Sequence, residues 1–218
     1  MNQIPRDSAF HSGLHRYLQA RRTESSLIGA DRGQTLERIS AYIAERLRSG
    51  ETARLTFICT HNSRRSQMTQ IWAQAAAQFF GLSGIHAFSG GTHVTAFDPR
   101  AVSAMTRAGF RIEPSSSDDN EGNPVYLVHA GNALPPTRAF SKAYTDPSNP
   151  GHGFCAVLTC SSADGDCPVI AGADERVLLP YEDPKSSDGT DRETTRYDAT
   201  CREICREMVW LFARVVAA

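Results

Sequence analysis

The sequence lacks an excess of charge of either sign: 23 Lys and Arg stand against 24 Asp and Glu in 218 residues, a formal net charge of -1. Nothing in that balance calls for nucleic acid or an anionic membrane, so any recognition of anions must be local. The chain also lacks an apolar run approaching the roughly 18 residues that a membrane span requires, and its first thirty residues contain no apolar leader core. These absences predict a cytoplasmic protein with neither a membrane nor a nucleic-acid partner. There is no internal repeat and no low-complexity tract. No glycine-rich run ends in Lys-Ser or Lys-Thr, which removes the nucleotide P-loop. No ligand spacing joins the cysteines into a metal site, so no metal and no bound cofactor is expected. In a reducing compartment the six cysteines, at 59, 155, 160, 167, 201 and 205, read as thiols rather than a disulfide framework.

The length fits one domain, or one domain with an extension. Residues 1–50 read as an N-terminal extension, polar and mixed with weak helical stretches up to about 33 and expected to be mobile or loosely docked. Its single helix is predicted over 34–47, where Leu36, Ile39, Ile43 and Leu47 recur at helical spacing. Residues 51–218 form the main domain. A strand is predicted at 54–58, followed by a helix on which Met68, Ile71, Trp72, Ala75, Ala76 and Phe79 share a face, with Gly81 placed to end it. Further strands are predicted at 85–89, 124–129, 154–160 and 176–181. Asp98-Pro99 opens another helix, and a last one runs from about Thr194 with Tyr197, Cys201, Ile204, Cys205, Met208, Phe212 and Val215 on one stripe. Cys155, Cys201 and Cys205 read as core. Strands alternating with helices predict an α/β fold of three layers, a central parallel sheet flanked by helices. An insertion at about 114–152 interrupts the pattern, with turn-rich loops at 114–124 and 148–153 and a helical stretch at about 135–144.

The stretch LTFICTHNSRRSQM, 55–68, puts chemistry between a strand and a helix. Cys59 ends the strand at the carboxyl edge of a parallel sheet, where such folds present their ligand crevice. The helix that follows directs its free N–H groups and positive dipole end back at the loop, which suits a tetrahedral oxyanion and favours a thiolate. Arg65, in a C-x5-R spacing, closes a ring of amides from Thr60, His61, Asn62, Ser63 and Arg64 with a bidentate guanidinium. Ser66 can donate to the sulfur.

These residues resemble the low-molecular-weight protein tyrosine phosphatase superfamily, including its thioredoxin-coupled arsenate reductases. The resemblance runs from about Leu55 to the C-terminus. It makes Cys59 the nucleophile and Arg65 the anion-binding arginine. IHAFSGGTHVTAFDPRAVSAMTRAGF is similar to the following strand, turn and helix, and YEDPK to the Asp-Pro motif that would make Asp183 the general acid. LTCSSADGDCP, 158–168, is similar to the redox segment of the reductases. That likeness implies a relay in which Cys160 attacks Cys59 and Cys167 then takes Cys160 into a disulfide that thioredoxin reduces. The expected activity is reduction of arsenate to arsenite with thioredoxin as electron donor. One alternative is hydrolysis of small phosphorylated substrates through a phosphocysteine. Another is a non-catalytic oxyanion or redox sensor, against which the presence of Asp183 argues. Four positions depart from the pattern: His61 stands for a glycine, Arg64 for a second cysteine, Gln70 for the glutamate of potassium-binding reductases, and Lys185 for an aromatic residue.

Overall fold

The computed structural model describes residues 9–116, 122–161 and 169–218. The chain opens with α1 (Ser12–Arg21), a 3-10 helix (Arg22–Leu27) and α2 (Ala30–Arg48). Then come β1 (Ala53–Cys59), α3 (Arg65–Phe79), β2 (Ile85–Gly91) and α4 (Pro99–Arg107). β3 (Arg111–Pro114) leads into the insertion, which contributes β4 (Tyr126–His129) and β5 (Thr137–Ala139). The fold ends with β6 (Phe154–Leu158), β7 (Ala173–Leu178), a 3-10 turn (Pro184–Ser187) and α5 (Glu193–Ala217).

The central sheet has the order β2-β1-β6-β7, every neighbour parallel. β1 lies in the middle and is buried at every position but Arg54, which is why it reads as an apolar run without clean alternation. Alternate residues still separate two cores. Leu55, Phe57, Cys155 and Val157 join the large cluster with the helices, whereas Ile58, Phe154 and Ala156 join a smaller one with Ile170. α5 spans the large cluster, with Tyr197, Ile204, Met208 and Phe212 fully buried against its neighbours. The parallel sheet flanked by helices is the fold class that the sequence implies. The β7 strand starts three residues earlier than the predicted 176–181, and its ladder continues only as single bonds from Leu179 and Tyr181 to the β6 side.

Two expectations are corrected. The first concerns the N-terminal extension, which is docked: Leu14 and Leu18 are fully buried, Tyr17 stacks on Trp72 at 5.4 Å, and the His11 N–H donates to the Ala130 carbonyl at 2.9 Å. Only every fourth residue of α1 is strongly apolar, too few to show a helical face in a local window. The second concerns the insertion. Residues 135–144 are not helical, and 124–129 does not join the parallel sheet; instead β3, β4 and β5 form a separate antiparallel sheet. A three-residue strand is too short to reveal a period of two, and its pairing comes from β4 rather than from local propensity. Beyond β5 the chain runs beside the end of β2, where Gly91 donates to the Lys142 carbonyl at 2.9 Å and accepts from the Tyr144 N–H at 3.0 Å. Gly90 makes this approach possible, since a Cβ there would collide with the Tyr144 backbone.

Candidate active site

Cys59 is the last residue of β1, 3% exposed, and α3 begins six residues later at Arg65. The intervening loop is fastened by its carbonyls. Thr60 O accepts from His93 N at 2.8 Å, His61 O from Ser141 Oγ at 2.9 Å, Asn62 O from Gln67 Nε2 at 3.1 Å and Ser63 O accepts from Asp98 N at 3.0 Å. With these acceptors engaged by the scaffold, the loop's amide groups are the donors left for an anion.

Ser66 Oγ lies 3.0 Å from Cys59 Sγ and accepts from Asn62 Nδ2 at 2.8 Å. Because the amide donates, the serine hydrogen is free to point at the sulfur, where it stabilises a thiolate. Asn62 is fully buried with φ 46°, a conformation that asparagine adopts more readily than most residues. Its Oδ1 accepts from the Lys142 N–H at 2.9 Å and from Gln67 Nε2 at 3.2 Å. The side chain of Asn62 therefore serves the scaffold rather than an anion, and it ties the insertion to the sulfur through Ser66.

Asp183 lies over the other side of the loop. Its Oδ2 accepts from Arg65 Nη2 at 2.9 Å and its Oδ1 from Arg64 Nε at 2.9 Å. Arg64 also donates to Asp98 Oδ2 at 3.0 Å, so the residue that stands for a second cysteine links two carboxylates. Burial would raise the Asp183 carboxyl, but the guanidinium groups of Arg65 and Arg64, with the Lys185 N–H, outweigh it and hold the group below the ordinary carboxylate range. In this arrangement Asp183 is ionised at neutral pH. It must leave the arginines before it can donate a proton.

The loop that carries Asp183 is braced by the N-terminal extension. Arg32 on α2 pairs with Glu207 at 2.8 and 2.9 Å and donates to Pro180 O at 3.0 Å, while Tyr181 Oη donates to Glu207 at 2.7 Å. Arg65 Nη1 in turn donates to Tyr181 O at 3.1 Å. Cys59, His61, Ser63, Arg64, Arg65 and Asp183 line a cavity of about 10 Å³, room for one water. A tetrahedral oxyanion enters only if Asp183 moves. His61 sits exposed at the mouth, its ring 5.9 Å from that of His93. Burial, then Arg64 and His93, lower the His61 pKa and keep the imidazole neutral.

The structure thus brings together Cys59, Ser66, Arg65, Arg64 and Asp183, with Thr60, His61, Asn62 and Ser63 in the loop between. Cys160 is fully buried and packs with Cys59 and Leu158 in one small cluster; its sulfur lies 3.6 Å from Thr60 Oγ1. Cys167 falls outside the described residues. The other cysteines are core thiols: burial raises the Cys155 and Cys205 pKa values well above that of a free thiol, and pushes Cys201 up to about 12. Among the described residues no group of three or more His, Cys, Asp or Glu side chains is placed to hold a metal ion, and no helix is long and apolar enough to cross a membrane. Asp98, Arg32, Glu207, Ser141 and Lys142 support the site without having been singled out for it. Asp98 reads only as a helix cap, and no local signal marks the other four.

Residues 54–129 match the family model described as low molecular weight phosphotyrosine protein phosphatase. The chain is 26% identical over 157 residues to an arsenate reductase of Bacillus licheniformis, covering 72% of this chain and 92% of that relative. Among solved structures it is similar to a low molecular weight phosphotyrosine phosphatase from Vibrio cholerae O395, with TM-score 0.49 and 14% identity over 76% of this chain and 97% of that one. It is also similar to a thioredoxin-dependent arsenate reductase of Corynebacterium glutamicum, with TM-score 0.43 and 19% identity over 86% of this chain and 71% of that one. These matches are to enzymes, and the chain is an enzyme similar to the low-molecular-weight phosphatases over residues 54–129 and to the arsenate reductases.

Proposed function

We propose that the protein reduces arsenate to arsenite through a cysteine adduct and an internal disulfide relay, with thioredoxin as electron donor in the cytoplasm. The observation that carries this reading is the second thiol: Cys160 is buried in the same three-residue cluster as Cys59. A hydrolase has no use for a thiol there, whereas a two-electron reduction needs one. The similarity to curated arsenate reductases supports the same substrate.

Arsenate enters as Asp183 leaves Arg65, and its oxygens take the guanidinium and the loop amides. Losing two cations and facing an anion raises the carboxyl of Asp183, so that it can hold the proton that departs with oxygen. The Cys59 thiolate attacks arsenic, an As–O bond breaks, and water leaves with arsenic still pentavalent. Cys160 then attacks Cys59 Sγ; the S–As bond breaks, its electron pair passes to arsenic, and arsenite departs from a Cys59–Cys160 disulfide. Cys167 attacks Cys160, restores the Cys59 thiol and leaves a disulfide that a thioredoxin dithiol reduces.

The second reading is hydrolysis of a phosphomonoester through a phosphocysteine. It is favoured by Asp183, which stands over the loop where a leaving oxygen would be protonated. The test is NADPH consumption on arsenate with thioredoxin and thioredoxin reductase. The relay predicts turnover in the wild type that Cys160→Ser and Cys167→Ser both abolish. Full turnover in either variant sinks the relay, and silence in the wild type alongside hydrolysis of p-nitrophenyl phosphate establishes the second reading.

A further inference from the structure

The insertion, with α3 and β2, lines a second, half-open cavity of about 380 Å³ that shares no lining residue with the one at Cys59. Its walls come from α3, β2 and the segment 137–148, with Gln70, Phe88, Arg138, Phe140, Lys142 and Ser148 contributing the groups that matter. Lys142 is 5% exposed, and its ammonium sits 4.5 Å from the centroid of the Phe140 ring. No carboxylate lies within ion-pairing distance of it among the described residues. Asp146, whose charge acts on it, is turned toward Ser148, from which it accepts two hydrogen bonds at 2.9 and 2.6 Å. Gln70 is also 5% exposed, and its Oε1 has no hydrogen-bond partner.

An ammonium on a largely buried side chain, with a ring face beside it and no ion-paired carboxylate among the described residues, is costly, and a cation–π contact offsets part of that cost. The cost shows in its titration, which burial lowers to about 8, with Asp146 acting against and Arg138 with the shift. An anion in the cavity would supply the missing countercharge, and Arg138 at the wall adds to the positive field. Ala87, Phe88 and Phe140 supply flat apolar walls for the rest of such a molecule.

We propose that this cavity binds a small aromatic carboxylate, its carboxylate on Lys142 and its ring between Phe88 and Phe140. The site is separate from the oxyanion loop but linked to it. The backbone N–H of Lys142 donates to Asn62 Oδ1, and Asn62 donates to the serine that faces the Cys59 sulfur. An occupant that shifts Lys142 therefore acts on the thiolate through two side chains.

Benzoate is the probe, titrated into the full chain by isothermal calorimetry. The wild type is expected to bind one equivalent saturably, with at least tenfold weaker binding in Lys142→Met and undiminished binding in Cys59→Ser or in the presence of orthovanadate. Ser148→Tyr, which narrows the exposed rim, is expected to weaken binding as well and decides the matter if Lys142→Met does not fold. Absence of saturable binding in the wild type overturns the proposal. So does full affinity in Lys142→Met when that variant folds, or in Ser148→Tyr when it does not. Loss of binding in Cys59→Ser, or competition by orthovanadate, would place benzoate in the oxyanion loop and overturn it too.

Discussion

The sulfur and the carboxylate of the candidate active site are held in opposite ways. Around Cys59 the supports are neutral and buried: Ser66, Asn62 and Gln67 are fully enclosed, and the chain of hydrogen bonds ends on a backbone N–H of the insertion. Around Asp183 the supports are charges, with Arg64 and Arg65 on one side and Asp98 behind Arg64, and the Asp183 side chain is 30% exposed. Neutral buried networks fix one geometry, because each member has one partner set and leaving it is expensive. Ion pairs at a partly wet edge exchange partners at low cost. On the proposed reaction, the rigid arrangement lies where the anion would find preset donors and the exchangeable one where Asp183 would get out of the way.

Substitutions can break either side of this contrast. The largest effect is expected from Cys59→Ala, which removes the proposed nucleophile; on the proposed reaction it should lower arsenate turnover by about 10⁴-fold or more while leaving the melting temperature nearly unchanged. Asn62→Ala comes next. It leaves the buried Lys142 N–H without an acceptor and puts alanine at φ 46°, a loss of about 2–4 kcal/mol and some 5–15 °C in thermal unfolding. Asn62→Gly separates the two contributions, since it recovers the backbone part and keeps the hydrogen-bond loss. Should both variants melt like the wild type, the sulfur side is not the rigid one.

Glu207→Gln tests the brace of the carboxylate side. It breaks the two-pronged pair with Arg32 and weakens the bond from Tyr181, and a loss of about 2–3 kcal/mol is expected in denaturant unfolding. Arg64→Gln should cost about 1–2 kcal/mol near neutral pH, since it leaves the 10%-exposed Asp98 carboxylate without its cation, and it has a signature in its pH dependence. Asp183 is held below the ordinary carboxylate range, so its contribution to stability is present above the unfolded-state value and is lost as pH falls through the folded one. Without Arg64 the folded value rises toward the ordinary one. The share of the acid limb that comes from Asp183 should then shrink and end at higher pH, and an unchanged limb would show that Arg65 alone sets the charge of Asp183.

How much of this was readable from the sequence differs between the two sheets. β1, α3, α4 and α5 were legible because each carries its own signal: an apolar run, a helical stripe, or the Asp98-Pro99 cap. The insertion was not, since β5 has three residues and takes its conformation from β4. The docking of α1 was missed for a related reason: weak helical stretches were legible there, but Phe10, Leu14 and Leu18 are a sparse pattern whose burial depends on Trp72 and α5 already being in place.

The sequence by itself determined the parallel α/β architecture and the order Cys59, Arg65, Ser66 and Asp183 along the chain. Local hydrophobic period and strand-to-helix spacing are properties of neighbouring residues, and a C-x5-R loop has little choice but to close on itself between them. Only the tertiary structure decided what those residues meet: that Arg64 and Arg65 share Asp183, that Asn62 faces inward to Ser66, that Cys160 packs beside Cys59, and that Arg32 and Lys142 brace the site from segments far along the chain. Hydrogen bonds and ion pairs between distant segments depend on which surfaces burial brings together, and no local spacing encodes that.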